Sequence, residues 1–257
     1  GFAIPVAQQF GAGKYSELRK YVFNGYICSA VFAVVMTVLS VVFCAPILRL
    51  LNTPDDIFMH AYNYIVIIFA GIPTVFLYNI VSGIIRSLGD SKTPVYFLVL
   101  SSVINIVLDF ILIIYAKMGV AGAALASVIA EASSLLFFVL YTYYAVDLKK
   151  YGLNRFGQFD WNMVIRILRI SCFTMLQYFL SFGVWFVFFI ALERHGERAL
   201  AVANIVRSVY IVLLIPVQAL QTAANTLVSN LIGSGGTQFV MKLLAKVSRM
   251  SFGIMVG

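Results

Sequence analysis

The 257-residue chain is 62% hydrophobic and only 11% charged, with a formal net charge of +8. So apolar a chain, with a mean hydropathy of +0.97, is not a water-soluble enzyme or binding module of ordinary composition; it reads as a polytopic membrane protein. The excess of Lys and Arg is no nucleic-acid footprint, because no basic stripe is interleaved with exposed aromatics.

In chain order, residues 1–10 read as the tail of a helix that ends in Gln8-Gln9-Phe10-Gly11-Ala12-Gly13. Nearly charge-free runs follow at 27–48, 61–85, 95–116, 119–146, 170–192 and 208–241. Each exceeds the ~20 residues that span a hydrocarbon core. The ~10-residue alternating pattern of barrel strands is absent, so the expected fold is all-α, a polytopic membrane helix bundle. Pro73 and Pro216 each free a backbone carbonyl and predict a bend or hinge. With the loop after Phe10 as one side, thirteen of the eighteen Lys and Arg fall there, among them Lys14, Arg19, Arg86, Lys92, Lys149, Lys150, Arg155 and Lys242. The positive-inside rule makes that side cytoplasmic. Cys28, Cys44 and Cys172 stand alone, and His60 and His195 lie apart from any Cys or carboxylate pattern, so neither a disulfide framework nor a His/Cys metal site is expected. The chain opens on Gly1 and stops at Gly257 within an apolar run, and reads as cut at both ends.

The polar residues inside the runs are ordered. Ser101, Asn105 and Asp109 recur every four residues on one face of 95–116, and Ser127, Glu131 and Ser134 share a face of 119–146. Only Lys117-Met118-Gly119 joins these segments, which makes them antiparallel neighbours. Counting ~1.5 Å per residue from that turn puts Asp109 level with Ser127 at ~12 Å and Asn105 level with Glu131 at ~18 Å. An ionisable group at membrane depth costs at least ~2.5 kcal/mol and so faces a partner or water. Two carboxylates on neighbouring segments therefore predict an ion or proton site, while Ser101 and Ser134 read as interhelical hydrogen-bond glue. On 208–241, Gln218, Thr222, Asn225 and Ser229 follow i, i+4, i+7, i+11, widened by Gln221, Thr226 and Asn230, and predict one wall of a wet cavity.

An internal repeat frames the chain. Residues 8–13 and 230–235 superpose at a shift of 222, which also carries Lys20 onto Lys242. Both copies leave an apolar helix on the basic side, so the repeat is parallel, with its pseudo-two-fold axis along the membrane normal. Two complete copies would come to roughly 440 residues, and about half a molecule is in view. The glycine turns at 11–14 and 233–236 follow no strand and are not nucleotide loops. Gly89-Asp90 lies in a polar loop beside Arg86 and Lys92, with Ser87 where an intramembrane aspartyl protease needs Gly. The organisation read here is 1–146 as most of an amino-terminal lobe, 147–164 as a cytoplasmic connector, and 165–257 as the start of a carboxyl-terminal lobe. Asp160 is expected to cap a helical stretch through Trp161, Arg166 and Arg169 that lies at the interface ahead of the next span.

Four stretches together resemble the multidrug and toxic compound extrusion (MATE) transporters. They are Val6-Ala7-Gln8-Gln9-Phe10-Gly11-Ala12-Gly13-Lys14, the loop Gly83-Ile84-Ile85-Arg86-Ser87-Leu88-Gly89-Asp90-Ser91-Lys92-Thr93-Pro94, Asn105-Ile106-Val107-Leu108-Asp109, and Gly119-Val120-Ala121-Gly122-Ala123-Ala124. The Arg-x-x-Gly-Asp-x-x-x-Pro loop is the most specific piece. The resemblance covers nearly the whole chain, from the end of family helix two to the start of helix nine. It implies two pseudo-symmetric six-helix lobes in the full protein and export of organic cations, drugs or metabolites against an inward flow of Na+ or H+. In the DinF-like branch an Asn and an Asp four residues apart, with a hydroxyl on the next helix, form the amino-lobe cation site. Asn105, Asp109 and Ser127 fit those places and would be the ligands of a Na+, with Glu131 one turn beyond Ser127 and not a fixed family element. That site also uses an Asp on helix one, which this chain does not contain. The NorM-like branch has a helix-seven carboxylate, whereas 171–182 has none and Ser181 stands near its place.

The resemblance further implies a multi-pass protein of the bacterial inner membrane that acts as a monomer on small amphipathic or cationic substrates, with no cofactor beyond the coupling ion, no nucleic-acid partner and no enzyme activity. The stripe of Gln218, Thr222, Asn225 and Ser229 would line the substrate cavity. The alternative is a flippase of lipid-linked oligosaccharide or peptidoglycan precursors from the same superfamily, which would want cations in its cavity to meet pyrophosphate; none is evident in these spans.

Overall fold

A computed structural model describes residues 2–146, 148, 151, 153, 157–193 and 197–256. Lys149, Lys150 and Arg155, counted above on the basic side, and His195 lie outside the described residues. The described chain runs through α1 (Ala3–Gly11), α2 (Tyr15–Leu50), α3 (Asp55–Ala70), α4 (Ile72–Ser87), α5 (Lys92–Asp109), a π-helical turn (Phe110–Tyr115), α6 (Gly119–Ala145), α7 (Trp161–Glu193), α8 (Glu197–Gly233), a 3-10 turn (Thr237–Phe239) and α9 (Val240–Val256). No strand occurs among the described residues. Six spans are long and apolar enough to cross a bilayer, α3 and α4 counting together as one. The all-α membrane bundle is the expected fold.

Helices extend well past the charge-free runs. α2 begins at Tyr15, and within its first turns Lys20 Nζ meets Glu17 Oε1 at 2.9 Å. The break near Pro73 falls at Gly71, and Pro73 occupies the first turn of α4, where a missing N–H costs nothing. Pro216 lies inside α8 without ending it. The expected separate interfacial stretch before the 170–192 span is corrected: α7 runs unbroken from Trp161 to Glu193, and Arg166 and Arg169 belong to the spanning helix itself. No Gly or Pro stands between Trp161 and Phe182 to interrupt it.

The chain divides into two compact units, Tyr15–Asp160 and Gly1–Lys14 with Trp161–Gly257. In the first, α6 packs against α3, α4 and α5, and α2 lies against α3 and α4. Phe138, Val81 and Ile85 form a buried core cluster, with Tyr26, Tyr78, Phe97, Leu135 and Val146 packed around them. Gly71 sits so close to Val128 on α6 that a Cβ there would lie 2.8 Å from Val128 Cγ2. Asn24 of α2, fully buried, donates to the carbonyls of Lys20 at 2.8 Å and Gln158 at 2.9 Å and accepts from the Asp160 N–H at 3.0 Å. The connector's end is thus pinned to α2.

In the second unit α8 packs against α1, α7 and α9, and here the sequence repeat becomes geometry. After α1, the N–H groups of Ala12, Gly13 and Lys14 bond the carbonyls of Gln8, Phe10 and Gln9; after α8, those of Ser234, Gly235 and Gly236 bond Asn230, Ile232 and Leu231. Every donor and acceptor maps onto its counterpart at the shift of 222. Gly13 (φ 68°) and Gly235 (φ 81°) supply the left-handed residue that this helix-ending turn requires. The copies also touch reciprocally. A Cβ on Gly11 would strike the backbone of Asn230, and one on Gly233 would strike the backbone of Gln8, the residue equivalent to Asn230. Small residues let membrane helices approach this closely, so the crossing is held by packing of backbone on backbone.

Gly11→Ala and Gly233→Ala should therefore each destabilise the full-length protein by roughly 1–3 kcal/mol, because the obstructing atoms are backbone and cannot swing aside. Gly253→Ala, inside α9 with open space around it, should not destabilise, since alanine favours a helix over glycine. Thermal melts of the detergent-solubilised variants check both expectations.

Candidate cation site on the α5–α6 seam

Two hydrogen bonds fix how α5 and α6 face each other. Asn105 Nδ2 donates to Ser127 Oγ at 3.2 Å, and Ser134 Oγ donates to the Phe97 carbonyl at 2.5 Å. Eight residues along α5 thus match seven along α6, which sets Ser101 opposite Glu131 and Asp109 opposite the small-residue stretch Gly122, Ala123 and Ala124. The expected levels are corrected by one turn: Ser127 pairs with Asn105, which the count had placed level with Glu131. The π-helical turn at Phe110–Tyr115 contributes, because its wider bonding packs more residues into each turn than the α-helix assumed in the count. Asp109 is drawn toward the connecting turn by the same effect.

Asp109 sits where α5 gives way to the π turn. Its Oδ1 is buried without a hydrogen-bond partner among the described residues. Ser127 accepts from Asn105 and keeps its own O–H to donate. Glu131 is half-buried on the same face of α6, between Ser127 and Ser134. The seam therefore carries one carboxylate with an unsatisfied buried oxygen, a neutral amide–hydroxyl pair one turn away, and a second carboxylate a turn further on. Such hard oxygen donors suit a proton or an alkali cation. No group of three or more His, Cys, Asp or Glu suited to a metal occurs among the described residues. The π turn went unforeseen, since nothing in Phe110-Ile111-Leu112-Ile113-Ile114-Tyr115 marks it; π turns recur at functional sites.

The α8 stripe is divided. Gln218, Thr222 and Asn225 are exposed, while Ser229 is only 5% exposed. The hydroxyls of Thr222, Thr226 and Ser229 bond the carbonyls of Gln218, Thr222 and Asn225 in their own helix. What the stripe offers outward is chiefly the amides of Gln218 and Asn225.

The family-motif loop joins α4 to α5, and its spacing has a mechanical reason. Gly89 (φ 97°) ends α4, with its N–H on Arg86 and that of Asp90 on Ile85. The Asp90 carboxylate then caps α5, accepting from the backbone N–H groups of Lys92 and Thr93, both at 3.0 Å, and from the Thr93 hydroxyl at 2.5 Å. Pro94 follows in the first turn, and its carbonyl accepts from Tyr78 at 2.6 Å, tying α4 to α5. Arg86, half-buried, lies in the last turn of α4, where a cation complements the helix dipole. Burial tends to raise the Asp90 pKa, but the hydrogen bonds from Thr93 and Lys92 and the charge of Lys92 outweigh it and hold the carboxyl below its usual value.

Internal repeats and polar residues at membrane depth are features that many transporter folds share. The MatE family model matches residues 1–111. The chain is 28% identical to the probable multidrug resistance protein YoeA of Bacillus subtilis over 91% of this chain and 52% of the relative. It is 30% identical to YpnP of the same organism over 81% and 48%, and 26% identical to the probable multidrug resistance protein NorM of Thermotoga maritima over 100% and 56%. Its fold matches an outward-facing multidrug resistance MATE family transporter of the MOP superfamily with a TM-score of 0.86 at 21% identity, covering 99% of this chain and 56% of that one. A MOP superfamily transporter from Pyrococcus furiosus matches with a TM-score of 0.85 at 21% identity, over 99% and 56%. The MATE family is thus the family that the chain matches, by model over its first 111 residues and by its curated relatives, and the chain spans about half the length of those relatives.

Asp90→Ala should cost about 1 kcal/mol through loss of the α5 cap. Because the folded carboxyl titrates below its unfolded value, the wild-type advantage is full above about pH 4 and fades as the pH falls through the depressed folded value. Melts of the two proteins at pH 7 and pH 3 should show a gap at the first and a smaller one at the second.

Proposed function

We propose that the complete protein is a secondary-active antiporter of the bacterial inner membrane that acts as a monomer, exporting organic cations, drugs or metabolites in exchange for Na+ or H+. The observation that carries this reading is the buried, unpartnered Oδ1 of Asp109 at the end of α5. A neutral residue would suffice for glue, whereas an ionisable carboxyl at membrane depth with no hydrogen-bond partner in the protein is suited to take up a cation. Asp109 takes up the coupling ion, as a proton on Oδ1 or as a Na+ that Asn105 and Ser127 help to surround with neutral oxygens. Glu131, a turn further along, adds negative potential to the seam. The exposed amides of Gln218 and Asn225 with Thr222 meet the substrate. Ion and substrate then prefer different conformations, and the difference in each one's affinity for the two conformations links their free energies.

Asp109→Asn should abolish gradient-driven efflux while leaving substrate binding measurable. Proteoliposomes with imposed Na+ and H+ gradients decide it: near wild-type pumping by the variant under either gradient would mean that Asp109 is structural.

The α8 stripe is open to a separate check. In full-length protein freed of Cys28, Cys44, Cys172 and any other cysteine, Thr222→Cys and Asn225→Cys should react with a hydrophilic thiol reagent. Ser229→Cys should stay unmodified because of its burial. Equal modification at all three positions would remove the cavity wall from the account.

A further inference from the structure

The seam between α5 and α6 carries a polar group at every turn from Asp109 downward, and then it stops. Asn105 meets Ser127, Ser101 stands opposite Glu131, and Ser134, with no exposed surface, reaches the Phe97 carbonyl. At the next level the chemistry changes completely. The Phe138 ring, also without exposed surface, stacks on Phe97 with centroids 4.7 Å apart and planes 17° from parallel. Tyr78 closes one side at 5.6 Å from Phe138, and Tyr141 lies 5.6 Å from Phe97. The Tyr78 hydroxyl is turned to the Pro94 carbonyl, which makes it a clamp between α4 and α5. This aromatic layer lies on the side of Glu131 toward Arg86 and Lys92, the basic and so cytoplasmic end.

We infer that the α5–α6 seam is a blind cation track that begins at Asp109, ends at Glu131 and Ser134, and is sealed against the cytoplasm by the stacked Phe97–Phe138 pair. A proton or cation taken up at Asp109 can leave only the way it came, when the protein changes conformation. A through-path would let the gradient run down without moving substrate. An apolar constriction blocks ions because water, and with it a hydrated cation, does not enter it. Phe138 also belongs to a buried core cluster with Val81 and Ile85, so the seal is held in place by that packing.

This rests on the antiport reading for the identity of the ion, and the experiment separates the two. Full-length protein in proteoliposomes without substrate is given a Na+ or H+ gradient, and passive flux is followed with radioactive Na+ and an entrapped pH dye. Phe138→Ala should raise passive flux at least about tenfold over wild type by opening the constriction. Phe97→Ala opens the same stack from the half-buried side, and it stands in where Phe138→Ala does not fold. Adding Asp109→Asn to either should return the flux to the wild-type level. Wild-type flux in folded variants overturns the seal, and so does a leak that Asp109→Asn leaves unchanged. A wild-type protein that shows no gradient-driven efflux in parallel liposomes loaded with a fluorescent organic cation overturns the antiport reading instead, and the passive-flux comparison still judges the seal.

Discussion

A polar group inside hydrocarbon has to find its partner within the protein, and this constraint shapes the molecule at every level. For the backbone it selects helices. For side chains it sorts residues into two kinds. Thr37, Thr142, Thr174, Ser181 and Ser208 each donate to a carbonyl four residues earlier in their own helix. They are satisfied locally and say nothing about neighbours. Asn24, Tyr78, Asn105 and Ser134 instead reach another segment, and all four lie in the Tyr15–Asp160 unit. Three buried side-chain atoms among the described residues find no partner: Nε of Arg19, Oδ1 of Asn230 and Oδ1 of Asp109. Only the last belongs to an acid, and the proposed cation site rests on it.

The same constraint accounts for the repeat. Without a hydrophobic force to draw helices together in lipid, close crossing depends on backbones that can touch. Gly11 and Gly233 provide it, each against the residue equivalent to the other's neighbour. Matching turns at Gly13 and Gly235 then lead the chain out of both helices in the same way. A weak six-residue sequence match thereby acquires a physical cause: both glycines of each copy are set by backbone geometry, while the residues between them vary.

Much of this was legible in the sequence, and the rest fails for identifiable reasons. Helix existence followed from hydropathy alone, but helix starts did not, since Glu17 and Lys20 are as good in a helix as outside it. The facing stripes on α5 and α6 followed from four-residue spacing and a three-residue turn. Their level did not, because the π turn left no mark in Phe110–Tyr115 and shifted the partner of Ser127 from Asp109 to Asn105. Asn24 passed unnoticed because a lone Asn near a helix start has no pattern; its partners Gln158 and Asp160 lie across a long sequence separation. Ser229 kept the right spacing for an exposed stripe and is buried all the same. Periodicity reports the face of a helix and cannot report what covers part of it.

The division of chemistry between the two units bears on how coupling works in the proposed antiporter. The α5–α6 seam holds Asp109 and Glu131, whereas the α8 stripe from Gln218 to Asn230 has no ionisable residue. Its hydroxyls are spent on their own helix. A wall of amides can meet an amphipathic compound by hydrogen bonding and contact, without the charge pairing that an acid would supply. Ion and substrate then need not compete for one carboxylate. Their linkage has to run through conformation, and each can shift the balance only by the difference in its affinity for the two states. A seam closed at its cytoplasmic end fits that scheme, because an ion that cannot pass through the unit contributes its free energy only when the unit itself moves.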